Sequence, residues 1–231
     1  MKSEIILHHI NIEMPITIRD DRIQLLIVEN PQQFYTFVRE LECQCEGGVG
    51  GFVASTQGVD MSIPKSATML SDFFHFDLND KKLLNLLYKK LEQLSYGDLI
   101  HDYNTSNAHL VTYLENLAYH IPFSLEYEEP QPADYFKSSG IRFAQNYDTL
   151  LEKIICYINI LLELKPFEFL IFVNLKSILD DDSLSQLYSH CEREKVGLLL
   201  IEDCKRRELI ASERALIITE DLCEILETHC D

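Results

Sequence analysis

Three apolar runs decide what this chain can fold into. Residues 23–28 (Ile-Gln-Leu-Leu-Ile-Val), 169–173 (Phe-Leu-Ile-Phe-Val) and 198–201 (Leu-Leu-Leu-Ile) lack the polar alternation of a half-exposed strand. Runs of that length belong to strands buried on both faces, as in parallel sheets covered by helices. Residues 182–194 form a polar helical stretch between two of them, so 169–201 reads as a βαβ crossover. Residues 215–219 add a strand and 220–227 a last helix, while residues 5–12 read as a strand at the other end. The sheet is therefore assembled from both ends of the chain.

The middle obeys a different period. Asn30 before Pro31 is a helix start, and Phe34, Phe37, Val38 and Leu41 follow at helical spacing until the helix ends near Cys43. Gly47, Gly48, Gly50 and Gly51 make the only glycine-dense stretch, ahead of a short strand over 52–55. From Asp80 onward Leu83, Leu84, Leu87, Leu91 and Leu94, then Leu110, Val111, Leu114 and Leu117, repeat as long helices up to Pro122. An acidic turn and the prolines at 130 and 132 lead out of this block. Residues 141–144 are extended, and a helix over 148–165 opens on the capping pair Thr149 and Glu152 and stops at Pro166. The expected organisation is an α/β head in two parts, 1–63 and 140–231, with an α-helical leg, 64–139, inserted between them.

Lys and Arg number 20 against 38 Asp and Glu, a formal charge of −18, which excludes general adhesion to phosphate backbones or anionic lipid. Any nucleic-acid contact must come from a local patch or an assembly. The first residues lack a signal peptide's apolar core and no window reaches 18 uncharged apolar residues, so a cytoplasmic protein with no membrane partner is expected. The seven cysteines, odd in number and scattered, suit a reducing compartment.

The 198–201 run ends in Glu202 and Asp203, like the strand that holds Mg2+ in P-loop NTPases, yet Gly-x-x-x-x-Gly-Lys-Ser/Thr occurs nowhere. A degenerate P-loop-like ATPase or metal-dependent nuclease using those two carboxylates is the alternative function. Cys43 and Cys45, His190 with Cys191, and His229 with Cys230 offer zinc-ligand types at no zinc spacing. Asp180, Asp181 and Asp182 read as an acidic helix N-terminus. Glu126, Glu128, Glu129 and Asp134 gather hard oxygen donors that suit Ca2+, although a solvated acidic turn explains them as well. Lys81, Lys82, Lys89 and Lys90 fall on an arc from ~0° to ~180° of a helix whose leucines occupy ~200° to ~300°. A solvated face explains that arc, and so does a surface that tracks phosphates.

A series of pieces, ordered along nearly the whole chain, resembles a known family. They are Met14, Pro15 and Ile16 ahead of 23–29; Phe76, Asp77, Leu78 and Asn79 entering the lysine-rich helix; 125–129; 149–164; Phe169, Leu170, Ile171, Phe172, Val173 and Asn174; and 198–202. In order and spacing they resemble the CRISPR-associated adaptation protein particular to type II-A systems. The resemblance implies a P-loop-NTPase-like α/β head without a nucleotide site, an inserted α-helical leg, and a homotetrameric ring with no catalytic activity. It further implies that linear double-stranded DNA enters the positively charged hole by its ends, without sequence preference. Ca2+ bound by acidic residues would support the assembly, and the protein would serve spacer acquisition with the CRISPR integrase pair and the RNA-guided nuclease. On this chain the DNA-binding candidates are Lys81, Lys82, Lys89, Lys90, Lys65 and Lys137, and the metal candidates are Glu126, Glu128, Glu129 and Asp134. Two departures stand out. Pro130 and Pro132 stand where the family continues with apolar helix formers, and the acidic tail beyond Glu208, with Arg214 its only Lys or Arg, is expected to face away from DNA.

Overall fold

The apolar runs meet as neighbouring parallel strands in the computed structural model of the chain, which describes residues 4–229. β3 (Ile23–Val28) lies between β8 (Gly197–Glu202) and β9 (Glu213–Ile218), and β7 (Phe169–Val173) and β6 (Ala67–Leu70) continue the sheet beyond β8. β10 (Glu224–Thr228) pairs antiparallel with β9 and closes the six-stranded order β10-β9-β3-β8-β7-β6. Every residue of β3, β7 and β8 is buried, which explains why these segments show no alternation. The crossover from β7 to β8 runs through α7 (Asp181–Glu194), capped by the Asp180 side chain on the Ser183 amide. α1 (Pro31–Cys45) starts on Asn30 and α6 (Leu150–Leu164) on the Thr149 and Glu152 capping box, both as expected.

A second, antiparallel sheet has the order β2-β1-β4-β5, from β1 (Glu4–His9), β2 (Ile12–Arg19), β4 (Phe52–Thr56) and β5 (Val59–Met61). The single strand expected over 5–12 is thus a hairpin turning at Ile10 and Asn11. Pro15 is tolerated inside β2 because β2 is an edge strand. Ile5, Leu7, Ile16 and Ile18 of this sheet share one core with Leu26, Phe37, Leu41, Phe169 and Leu199.

Two further expectations change. Residues 220–227 are not a helix, because β10 pairs with β9 and the Glu224 carboxylate accepts the backbone amides of Glu13 and Met14 at 2.6 and 2.8 Å. Residues 141–144 form no strand; the Asn79 side chain instead takes the amide and carbonyl of Phe143, at 2.8 and 3.1 Å. Residues 64–75 carry α2 (Ile63–Ser66), a single turn, and β6, so this stretch completes the sheet before the long helices begin.

The glycine-dense stretch has a packing explanation. Gln44 bonds both backbone groups of Phe52, at 2.8 and 3.1 Å, and a Cβ at Gly50 would meet its Oε1 at 2.4 Å. Glu40 accepts the Gly51 amide at 2.7 Å and lies 3.0 Å from His9 Nε2. A Cβ at Gly51 would meet that nitrogen at 2.4 Å and the Glu40 oxygen at 2.7 Å. His9 is buried between Phe37 and Phe52 and cannot retreat. Gly51→Ala is therefore expected to cost about 1–3 kcal/mol in chemical denaturation. An unchanged denaturation midpoint would show that the His9 and Glu40 clamp yields freely.

Phe76–Asn146 forms a compact unit of its own, and the described residues on either side of it form the other. Its helices are α3 (Lys81–Tyr96), α4 (Ile100–Tyr119) and α5 (Pro132–Ser138). No helix among the described residues is long and apolar enough to cross a membrane.

Candidate functional site

α3 begins where Asp80 accepts the Leu83 amide at 2.8 Å, and from there the chain sorts itself by face. Leu83 is buried and Leu84, Leu87, Leu91 and Leu94 are half-buried, while Lys81, Lys82 and Lys89 are exposed and Lys90 is half-buried. One helix thus presents four ammonium groups along its outer surface. Lys137 is exposed in the last turn of α5, within the same unit, and α5 packs on α3 through Tyr88 and Phe136. Lys65 is exposed in α2 and belongs to the other unit.

The acidic candidates behave differently. Asn107 is the one buried residue of α4, and its Nδ2 donates to Glu129 Oε1 at 2.6 Å while its Oδ1 accepts from the Tyr135 hydroxyl. The Tyr103 hydroxyl donates to the Pro130 carbonyl at 3.0 Å and Tyr96 to Gln131 at 2.6 Å. Glu129 is therefore a tie that fastens the 126–131 segment to α4. Burial raises the Tyr103 and Tyr135 phenols above their ordinary range, and the nearby Glu129 charge adds to both. Both keep the protons that these bonds require. Asp134 Oδ2 accepts the Gln131 amide at 3.0 Å and closes the start of α5, where Pro132 is the first residue. That position gives the unexpected proline a purpose, since an amide at the first helical position would have no acceptor within the helix. Glu126 and Glu128 are exposed. Among the described residues no group of three or more His, Cys, Asp or Glu converges, so the four carboxylates do not form a Ca2+ cage within one chain.

Glu202 and Asp203, the candidates for a nucleotide or nuclease site, stand at the carboxyl edge of β8 but do not act together. Glu202 is 1% exposed; its Oε1 accepts the Lys176 amide at 3.0 Å, and its Oε2 has no hydrogen-bond partner among the described residues, with Arg206 Nε at 3.7 Å. Burial pushes its carboxyl up to about 7, against the Lys176 amide and the Arg206 and Lys176 charges. Asp203 is paired with Arg206 at 2.6 Å. Only Glu29 and Asn30 separate β3 from α1, with Asn30 spent on capping. That link has no glycine and no lysine to cradle a phosphate.

The thiol and imidazole candidates are dispersed. Burial drives the Cys191 thiol up to about 12 and Cys45 up to about 11, away from the thiolate that a metal needs. His190 lies 3.0 Å from Asn159 Oδ1 through Nε2 and accepts from Arg193 through Nδ1, and burial lowers its basicity. Cys230 lies outside the described residues.

The residues that sequence reasoning missed are Asn107, Tyr103 and Tyr135. A signal existed: Ile100, Tyr103, Asn107, Leu110, Leu114 and Leu117 recur at alternating steps of three and four, which puts an Asn in an apolar seam. The far end of that seam is open. Leu110 and Leu114 are half-buried, Leu117 is 43% exposed and the neighbouring Tyr113 58%, while Asp102 and Glu115 are the only Asp, Glu, Lys or Arg on the helix.

With this geometry in place, a family model described as "CRISPR-associated protein (Cas_Csn2)" matches residues 44–222. No curated protein matches the chain. Among solved structures the chain is similar to "Structure of a bacterial Atm1-family ABC exporter with ATP bound", at 12% identity and a TM-score of 0.42. That likeness covers 95% of this chain and 38% of the exporter chain, and at such a score it carries no argument.

Proposed function

The chain belongs to the Csn2 family of CRISPR-associated proteins, type II-A adaptation proteins, and we propose that it is a non-enzymatic homotetrameric ring that binds the ends of linear double-stranded DNA during spacer acquisition. The observation that carries the DNA-binding part is the four-lysine outer face of α3, set in a protein of charge −18. Ammonium groups neutralise phosphates without reading bases, so binding is indifferent to sequence. A P-loop-like head is supported by the parallel core, in which β3 lies inside the sheet and runs straight into α1. The Glu29 and Asn30 link leaves that head without a nucleotide loop, and no observation favours an ATPase or nuclease. The CRISPR integrase pair and the RNA-guided nuclease are its proposed partners in the cytoplasm.

Assembly uses the open end of the α4 seam. A second copy laid against Tyr113, Leu114 and Leu117 meets no Asp, Glu, Lys or Arg along the seam, since Glu115 projects away from it. Ca2+, if it joins this assembly, would be shared between copies through Glu126 and Glu128, because one chain alone supplies no cage. Leu117→Glu is expected to lower the native mass from tetramer towards smaller species with unchanged helicity, since residue 117 is already 43% exposed within one chain. Chelation is expected to act in the same direction. An unchanged mass in the variant would remove α4 from the interface, and indifference to chelator would remove the shared ion.

A ring adds a topological demand that an open patch lacks. Linear duplex is expected to bind and closed circular duplex of the same length to fail, with binding restored when the circle is cut. Equal affinity for both forms would overturn the threading reading.

A further inference from the structure

We propose that the helical unit holds a binding site for a guanidinium carried on an apolar stem, in a cavity of about 320 Å3 among α3, α4 and α5. Leu99, Tyr103, Tyr135, Phe136 and Ile141 supply half of its ten lining residues, Pro132 and three serines add to them, and Asp102 supplies the one acidic group. The volume falls in the range of small-ligand sites, which are mostly apolar with a few polar groups that fix orientation.

The wall is built to present ring faces. The hydroxyls of Tyr103 and Tyr135 are committed elsewhere, to the Pro130 carbonyl and to Asn107 Oδ1, so the phenol rings and not their polar tips are left for the cavity. Tyr103 and Tyr135 meet edge to face at 6.3 Å, which holds both in place. Asp102 lies in the first turn of α4, and its carboxylate has no hydrogen-bond or ion-pair partner among the described residues. A neutral apolar occupant would strip water from that carboxylate and return nothing for it. A metal ion would find one carboxylate and the neutral hydroxyls of Ser95, Ser106 and Ser139, too little negative charge for Ca2+ or Mg2+. A guanidinium satisfies both halves of the site. It is planar and weakly hydrated, stacks on aromatic faces, and forms two parallel bonds with a carboxylate. The stem lies along Leu99 and Ile141, which are 50% and 37% exposed without it.

This site is independent of the DNA-binding lysines, and its test needs no DNA. Agmatine, a guanidinium on a four-carbon amine, and the butylurea that carries the same terminal amine, its counterpart with an uncharged planar head, are titrated into the full chain while the aromatic proton resonances are followed. Saturable binding of agmatine is expected, with butylurea at least tenfold weaker. Asp102→Asn should remove that preference, and Phe136→Leu, which keeps bulk but not the ring, should weaken agmatine. Circular dichroism checks that both variants are folded. Acetyl-Gly-Arg-Gly-amide distinguishes the source of the guanidinium: binding comparable to agmatine identifies an arginine presented by a protein partner, and rejection of the peptide identifies a free small molecule. The proposal fails if neither probe saturates, if butylurea binds as well as agmatine, or if Asp102→Asn leaves agmatine binding unchanged.

Discussion

Lys176→Met is expected to cost the head about 3–5 kcal/mol, the largest loss of stability from any single side chain described above. Lys176 and Glu213 are 4% and 0% exposed at their side chains, and Nζ lies 2.8 and 2.7 Å from the two carboxylate oxygens. The same carboxylate accepts the Tyr188 hydroxyl at 2.7 Å and the Ile210 amide at 3.0 Å. Burial and the Glu213 charge hold the Tyr188 phenol far above its ordinary range, so it remains a donor at any working pH. Removing the ammonium leaves a charge with nowhere to go. The net stability of a domain is about 5–15 kcal/mol, so this one change threatens the fold. Removing both charges is a different experiment. Lys176→Met with Glu213→Gln removes both charges, leaving the amide oxygen to accept the Ile210 amide and the amide nitrogen to donate to the Tyr188 hydroxyl oxygen, and should recover most of the loss. Denaturant unfolding of the two variants decides between these outcomes. A loss under about 1 kcal/mol in the single variant would mean that Glu213 is not an isolated buried charge once Lys176 is gone.

Nothing in the sequence announced that pair, and the reason is physical. Lys176 and Glu213 are 37 positions apart, in a turn and at a strand start, and residue type alone marks each for the surface. The features that were legible are those set by local chemistry. Unbroken apolar runs gave β3, β7 and β8, and the capping residues Asn30, Thr149 and Asp180 gave the starts of α1, α6 and α7. Where pairing across distance decides, local pattern failed. The 220–227 segment has no helical fate once Glu224 can take two amides of β2 and β9 offers an edge. Ala67–Leu70 has no strong strand character of its own and becomes β6 because β7 is beside it.

The candidate site divides along the same line. Charge and periodicity on α3 are local, and the lysine arc appears in the fold as it does on a helical wheel. The acidic cluster is close in sequence but does not converge, because Glu129 is tied to Asn107 while Asp134 serves the start of α5. Sequence proximity of carboxylates says nothing about where their oxygens point. Asn107 itself was visible only as an irregularity in the α4 seam.

Replacing Lys81, Lys82, Lys89 and Lys90 together by Glu is expected to lower duplex affinity by about a thousandfold or more near 0.1 M salt. Each neutralised phosphate contributes about 0.9 to the slope of log affinity against log salt, so losing four contacts alone gives that factor, and four carboxylates add repulsion. The slope should shallow by at least about 3.6, the share of one copy's four lysines, and by more for each further copy of the ring that reaches the duplex. The fold should not follow. Glu is as good a helix former as Lys, and at positions 81 and 82 it improves the match to the helix N-terminus. The apolar face, with Leu83 buried and Leu87 and Leu91 half-buried, is untouched. Helicity and oligomer mass therefore serve as controls, and a loss confined to DNA binding assigns the lysines to phosphates. Substituting Lys65 alone, on the other unit, tests whether the DNA path extends beyond α3: a shallower slope by about 0.9 would place one phosphate there. Unchanged affinity in the quadruple variant would take α3 off the DNA path, and with it the one observation on which the DNA-binding reading stands.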